Sequence, residues 1–230
     1  MKQGLIIFND YIKDLMNVLE AVGIANIFSG GNAGPNNTTI SAPQRINSTI
    51  VNTFSVGSVN ANLNGNPISY FSSRGPLQCP ANDSSLIIHP EVVAPGHDVR
   101  SSVGPNSYST KSGTSMAAPH VSGAVLLLKE AFPDLSGAEI LTAIYYTASD
   151  LGDVGEDNTF GRGIIDCYAA YTFLSQSHTP TNPNITTNDL IFTKIYEPSP
   201  IIFCNLSLIH ISEPTRLLSI ADGGLCVKKK

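Results

Sequence analysis

Gly113-Thr114-Ser115-Met116-Ala117-Ala118-Pro119-His120-Val121-Ser122-Gly123 sets a serine between a tight turn and an apolar helix. Gly113 can take the dihedrals of an abrupt turn, and Thr114 can cap the helix that begins there. Pro119 falls in the first helical turn or just after it, where a missing N–H costs little. Val121, Ala124, Val125 and Leu128 then repeat at helical spacing. Leu126 and Leu127 fill the other side, so the helix is expected to be buried all round. Ser115 thereby stands at a helix N-terminus, where free N–H groups and the positive end of the dipole favour an anion. A nucleophile for acyl transfer needs such surroundings, because its attack leaves a negatively charged oxygen beside it.

Upstream, residues 9–23 pattern as an amphipathic helix with Leu15, Val18, Leu19 and Val22 on one face and Gly23 as its stop. Ile24-Ala25-Asn26-Ile27-Phe28 comes next as a short strand of the buried, parallel kind. It runs into Ser29-Gly30-Gly31-Asn32-Ala33-Gly34-Pro35, a loop outside the carboxyl end of a strand, where open α/β sheets bind ligands. Consecutive glycines there allow another backbone, such as a peptide, to approach closely. Thr49 to Gly57 reads as a second buried strand, and Val99–Val103 with Tyr108–Lys111 as a hairpin delivering the chain to Gly113. Beyond Pro133, Ser136-Gly137-Ala138-Glu139 is a capping box opening a further helix, and a last helix runs through Cys167-Tyr168-Ala169-Ala170.

The Ser115 stretch resembles the nucleophile motif of subtilisin-like serine proteases almost letter for letter. It is not a nucleophile elbow, which needs glycine where this chain has Ala117. The loop ending in Asn32, 83 positions before Ser115, resembles that family's oxyanion loop. Tyr70-Phe71-Ser72-Ser73-Arg74-Gly75-Pro76, Pro90-Glu91-Val92-Val93-Ala94-Pro95-Gly96 and Gly161-Arg162-Gly163-Ile164-Ile165-Asp166 are further family signatures in the family's order. The resemblance covers about residues 20–175. It implies an acyl-enzyme on Ser115, an oxyanion held by the Asn32 side-chain amide and the Ser115 N–H, and Ser29, Gly30 and Gly31 as a wall of the substrate pocket. The partner it implies is a polypeptide substrate, with no cofactor in the reaction. Calcium sites are common in the family, but no carboxylate cluster here stands out as one.

The fold class expected is therefore α/β: residues 1–176 form the C-terminal portion of a subtilisin-like three-layer parallel-sheet domain. The Thr-, Pro- and Asn-rich stretch 177–188 has the composition of a linker. Residues 189–206 alternate like the opening of a truncated immunoglobulin-like β-sandwich. Residues 207–230 resemble translated sequencing-library adapter, so the genuine protein is expected to stop near residue 206. The N-terminus shows no signal peptide, since Asn9-Asp10 interrupts its apolar run; secretion is expected only from the resemblance, with Met1 internal to a longer chain.

A net charge of −5 and 13% charged residues give no nucleic-acid surface. No apolar run reaches the roughly 18 residues of a membrane helix. Cys79, Cys167, Cys204 and Cys226 lack metal-ligand spacing; Cys167 is expected as a buried thiol.

A serine nucleophile needs a base and an orienting group. In the family both precede the oxyanion asparagine by long distances, yet the 31 residues before Asn32 contain no histidine. His120 would lie about 7.5 Å along the helix from Ser115, and His89 sits in an architectural motif. His97 and Asp98 should point apart on an extended chain, and His178 and His210 fall in the linker and tail. The triad is thus incomplete, and the missing N-terminal part of the domain is the partner that would supply it. A rival expectation is a non-catalytic module that binds extended peptides along Ser29–Asn32 by strand addition.

Overall fold

The computed structural model describes residues 2–77 and 86–181. The stretch after residue 181, the expected accessory strands at 189–206, the tail at 207–230, Cys79, Cys204, Cys226 and His210 lie outside the described residues. Among the described residues nine elements run in order: α1 (Lys2–Ala21), β1 (Ile27–Ser29), β2 (Phe54–Val59), β3 (Val92–Pro95), β4 (Val99–Val103), β5 (Ser107–Lys111), α2 (Thr114–Ala131), α3 (Gly137–Thr147) and α4 (Cys167–Ser175).

β1, β2 and β3 form a parallel sheet in that order, with Ile27 opposite Phe54 and Val56 opposite Val92. Side chains alternate across it, as a strand covered on both faces requires. Val56, Val92 and Ala94 pack with Ala117, Val121, Ala124 and Leu128 of α2. Val59 and Val93 turn the other way, into a smaller cluster with Ile164. Behind α2, Ile140, Leu141 and Ile144 of α3 meet Cys167, Ala170 and Leu174 of α4. β4 and β5 form the antiparallel hairpin expected, Val99 opposite Lys111. The capping box is present: Ser136 Oγ accepts from the Glu139 N–H (3.2 Å), and Glu139 Oε2 accepts from the Ser136 N–H (2.7 Å).

Several expectations change: the first helix runs Lys2–Ala21 rather than 9–23, and the first strand is Ile27–Ser29 rather than residues 24–28. The second strand begins at Phe54 rather than Thr49, because Asn52 Oδ1 accepts from the N–H groups of Ser48 (3.1 Å) and Thr49 (3.3 Å) and bends that segment into a turn. α2 is not buried all round: Leu126 is 54% exposed. Leu15 and Val18 of α1, and Val22 just beyond it, face outward while Met16 is buried. That helix is held through polar groups, with Asn17 Oδ1 accepting from Ser48 Oγ (2.5 Å) and Asn52 Nδ2 (3.0 Å).

Candidate active site

The site lies where the chain leaves the carboxyl ends of β1 and β3. After Ser29, the Gly30 N–H donates to the Val56 carbonyl (2.8 Å), carrying the ladder one residue past the strand. Gly31 then turns with φ 103°, a left-handed value that favours glycine. The next segment is strapped to residues 71–73: the Ser73 N–H donates to Gly31 O (2.9 Å), the Ala33 N–H to Ser73 Oγ (3.1 Å) and the Gly34 N–H to Phe71 O (2.8 Å). Asn32 projects from this loop with an exposed side chain.

At the end of β3, the Gly96 carbonyl accepts from the Gly113 N–H (2.8 Å). A side chain at Gly96 would put its Cβ 2.5 Å from Ser58 Oγ and 2.8 Å from the Gly113 carbonyl, so only glycine lets the helix start so close to the sheet. Gly113 is the N-cap, without a side-chain cap bond, and Thr114 is the first helical residue. The capping role expected of Thr114 therefore falls to a residue far upstream. Asn32 Oδ1 accepts from the Thr114 N–H (2.9 Å) and from Thr114 Oγ1 (3.0 Å). Thr114 Oγ1 in turn accepts from the Gly31 N–H (3.1 Å). A donor at 2.9 Å fixes which end of the Asn32 amide is oxygen, which leaves Nδ2 as the donor end. A Cβ placed on Gly113 would lie 3.4 Å from Asn32 Nδ2 and 3.8 Å from the Ser115 nitrogen. Asn32 Nδ2 and the Ser115 N–H therefore both border the turn at Gly113, and Ser115 itself is an exposed residue. Such a pair at a helix N-terminus can hold an oxyanion.

Of the three residues expected along the substrate pocket, Ser29 and Gly31 are half-buried. Gly30 is buried, and the Ser29 carbonyl accepts from Gln44 Nε2. Sequence reasoning missed Thr114 as the link between the two loops, since its partners lie 82 and 83 positions away.

No described histidine bonds to Ser115. His120 Nδ1 meets the carbonyl of Met116 in its own helix (2.9 Å). Burial pushes its imidazole below the ordinary value, against backbone hydrogen bonds to Met116 and Ala117 that raise it. His89 is fully buried in a separate cluster with Glu91, and His178 is exposed. His97 and Asp98 do meet, contrary to expectation: Asp98 has φ 52°, so the chain is not extended there, and Nε2 lies 3.8 Å from Oδ2. The pair is at the surface, and the His97 ring stacks on Phe71 at 5.7 Å between centroids. Among the described residues no group of three or more His, Cys, Asp or Glu could hold a metal ion, and no helix is long and apolar enough to cross a membrane.

The model of the Subtilase family matches residues 8–163. Subtilisin DY of Bacillus licheniformis is 33% identical over 161 residues, covering 69% of this chain and 51% of that protein. The minor extracellular protease Vpr of Bacillus subtilis is 38% identical over 109 residues, 43% of this chain and 13% of Vpr. Among solved structures, Sphericase superposes with a TM-score of 0.57 at 25% identity, over 66% of this chain and 51% of its own. The chain thus spans about half the length of Subtilisin DY and a smaller share of Vpr. A subtilisin-like α/β fold, the ordered motifs and the family match together make this chain a member of the subtilase family.

Proposed function

We propose that this chain carries the nucleophile half of a secreted serine endopeptidase. Ser115 attacks the scissile carbonyl to form an acyl-enzyme, and the developing oxyanion is held by Asn32 Nδ2 and the Ser115 N–H. Ser29, Gly30 and Gly31 line the substrate pocket, and the substrate is an extended polypeptide. The observation that carries the reading is the bonding of Asn32 to Thr114, which brings an amide donor to the first turn of α2. Extracellular localisation follows from the likeness to proteins such as the minor extracellular protease Vpr.

The base and its orienting carboxylate come from residues outside these 230. The chain spans only 51% of Subtilisin DY, and no described histidine bonds to the Ser115 hydroxyl. An unassisted serine hydroxyl is a poor nucleophile at neutral pH, so the chain by itself hydrolyses no peptides. One observation favours a second reading, peptide binding by strand addition at Ser29–Asn32: among the described strands β1 pairs on one side only.

Hydrolysis of a denatured protein separates the two. The endopeptidase reading expects cleavage by this chain joined to the N-terminal part of its domain, loss of cleavage in Ser115→Ala, and none by the chain alone. Peptide capture by the joined domain, with no cleavage, would favour the binding module instead.

A further inference from the structure

The peptide plane that joins Ser29 to Gly30, at the start of the proposed pocket wall, is held from both sides. In a trans peptide the C=O and the N–H point opposite ways. The Gly30 N–H donates to the Val56 carbonyl of β2 (2.8 Å). The Ser29 carbonyl therefore faces away from β2, toward the side where β1 pairs with no described strand. Gln44 Nε2 donates to that carbonyl. A carbonyl partner fixes this end of the amide as the NH2 group and the other end as Oε1.

Gln44 comes from the loop between β1 and β2 and is rooted there. Its own carbonyl accepts from Thr53 Oγ1 (3.2 Å), one residue before β2 begins. Turns flank it: the Arg45 N–H donates to the Ser41 carbonyl (3.1 Å) and the Ile46 N–H to the Pro43 carbonyl (2.9 Å). Gln44 is only 8% exposed, and burying an amide is costly unless it is hydrogen-bonded. Oε1 finds no partner among the described residues, so the bond this amide makes is the one to Ser29. Further along, other groups tie the wall: the Gly31 N–H donates to Thr114 Oγ1 (3.1 Å), and the Gly31 carbonyl accepts from the Ser73 N–H (2.9 Å). For the Ser29 carbonyl that tie is Gln44.

We propose that Gln44 is a positioning residue of the substrate pocket: it fixes the Ser29 carbonyl, and with it the wall 29–31 that receives a substrate side chain. The assignment rests on the endopeptidase reading above. Without the amide, Val56 alone would grip the peptide plane, and Gly30, lacking a side chain, offers little resistance to its turning. The same bond occupies the acceptor that an added strand would need at Ser29. The substrate therefore meets this residue with a side chain and not with its main chain. Thr114 holds Asn32, and Gln44 holds the wall.

Kinetics of the complete domain, this chain joined to its N-terminal part, test the assignment. Gln44→Met keeps the length and bulk of the side chain and removes the donor. KM for peptide substrates should rise about two- to tenfold, the size of one hydrogen bond, with kcat changing less. The preference among peptides that differ only in the residue before the scissile bond should narrow as well. A purely structural role would lower the amount of active enzyme, and so the measured kcat, at the parent KM and the parent preference; that result would overturn the proposal. If Gln44→Met does not fold, NMR of the Gln44 side-chain amide in the parent domain decides. Slow exchange of its protons with solvent supports the bond, and exchange as fast as in an exposed glutamine overturns it. A parent domain that cleaves no peptide would sink the endopeptidase reading, and this assignment with it.

Discussion

Thr114 uses its hydroxyl twice, accepting from the Gly31 N–H and donating to Asn32 Oδ1. Both contacts join the loop after β1 to the first turn of α2, so Asn32 and Ser115, the donor and nucleophile proposed above, are held together by one side chain. Thr114→Val keeps the shape and removes both bonds. It should destabilise the chain by about 1–3 kcal/mol, the cost of a buried donor left unpaired, while Thr114→Ser should lose far less; urea unfolding measures both. In the complete domain Thr114→Val should lower kcat with little change in KM, because Asn32 loses its orientation and the ground-state contacts remain. The sequence points to Asn32 and Ser115 because each sits in a motif with local chemistry. It does not point to Thr114, since before a helix a threonine reads as a cap whatever lies 82 residues upstream.

Among the elements, α2 unites the sheet and the two later helices, and its spacing of Val121, Ala124 and Leu128 was readable in advance. Its burial was not, because periodicity gives the apolar face and not what covers it; Leu126 is open. The same limit applies to α1, where the apolar positions face out and a polar edge makes the contacts. Thr49 to Thr53 has the β-branched character of a strand, yet the Asn52 side chain takes up the backbone amides that a ladder would have used. His120 gives α2 a pH response. Half-buried, with desolvation holding its imidazole below the ordinary value, it takes up a proton less readily in the folded chain than in the unfolded chain, which does so near pH ~6.5. Stability should therefore fall as pH drops through that value. A series of unfolding curves from pH 7 to 5 should show the fall, and His120→Gln should reduce its slope.

At the scale of the molecule, a compact core coexists with an apolar stripe on one flank: Tyr11, Leu15, Val18, Val22 and Ile24 are 38–67% exposed. The chain spans about half of Subtilisin DY, and the proposed function places the missing base in the part it does not include. The α/β class and the order of the motifs could be read from residues 24–166, since parallel strands, glycine turns and caps are local signals. The His89–Glu91 cluster could not, because nothing in His-Pro-Glu says that both side chains are buried against Ser55. The central claim is that Ser115 is an activated nucleophile served by Asn32. The most direct measurement is mass spectrometry of the complete domain, this chain joined to its N-terminal part, after reaction with a fluorophosphonate. The account predicts one phosphonylated residue, Ser115, with labelling abolished in Ser115→Ala and slowed in Asn32→Ala by about 10²–10³, the size known from removing such a donor in a subtilisin. Labelling that persists in Ser115→Ala, or an unmodified Ser115 in a domain that cleaves peptides, would contradict it.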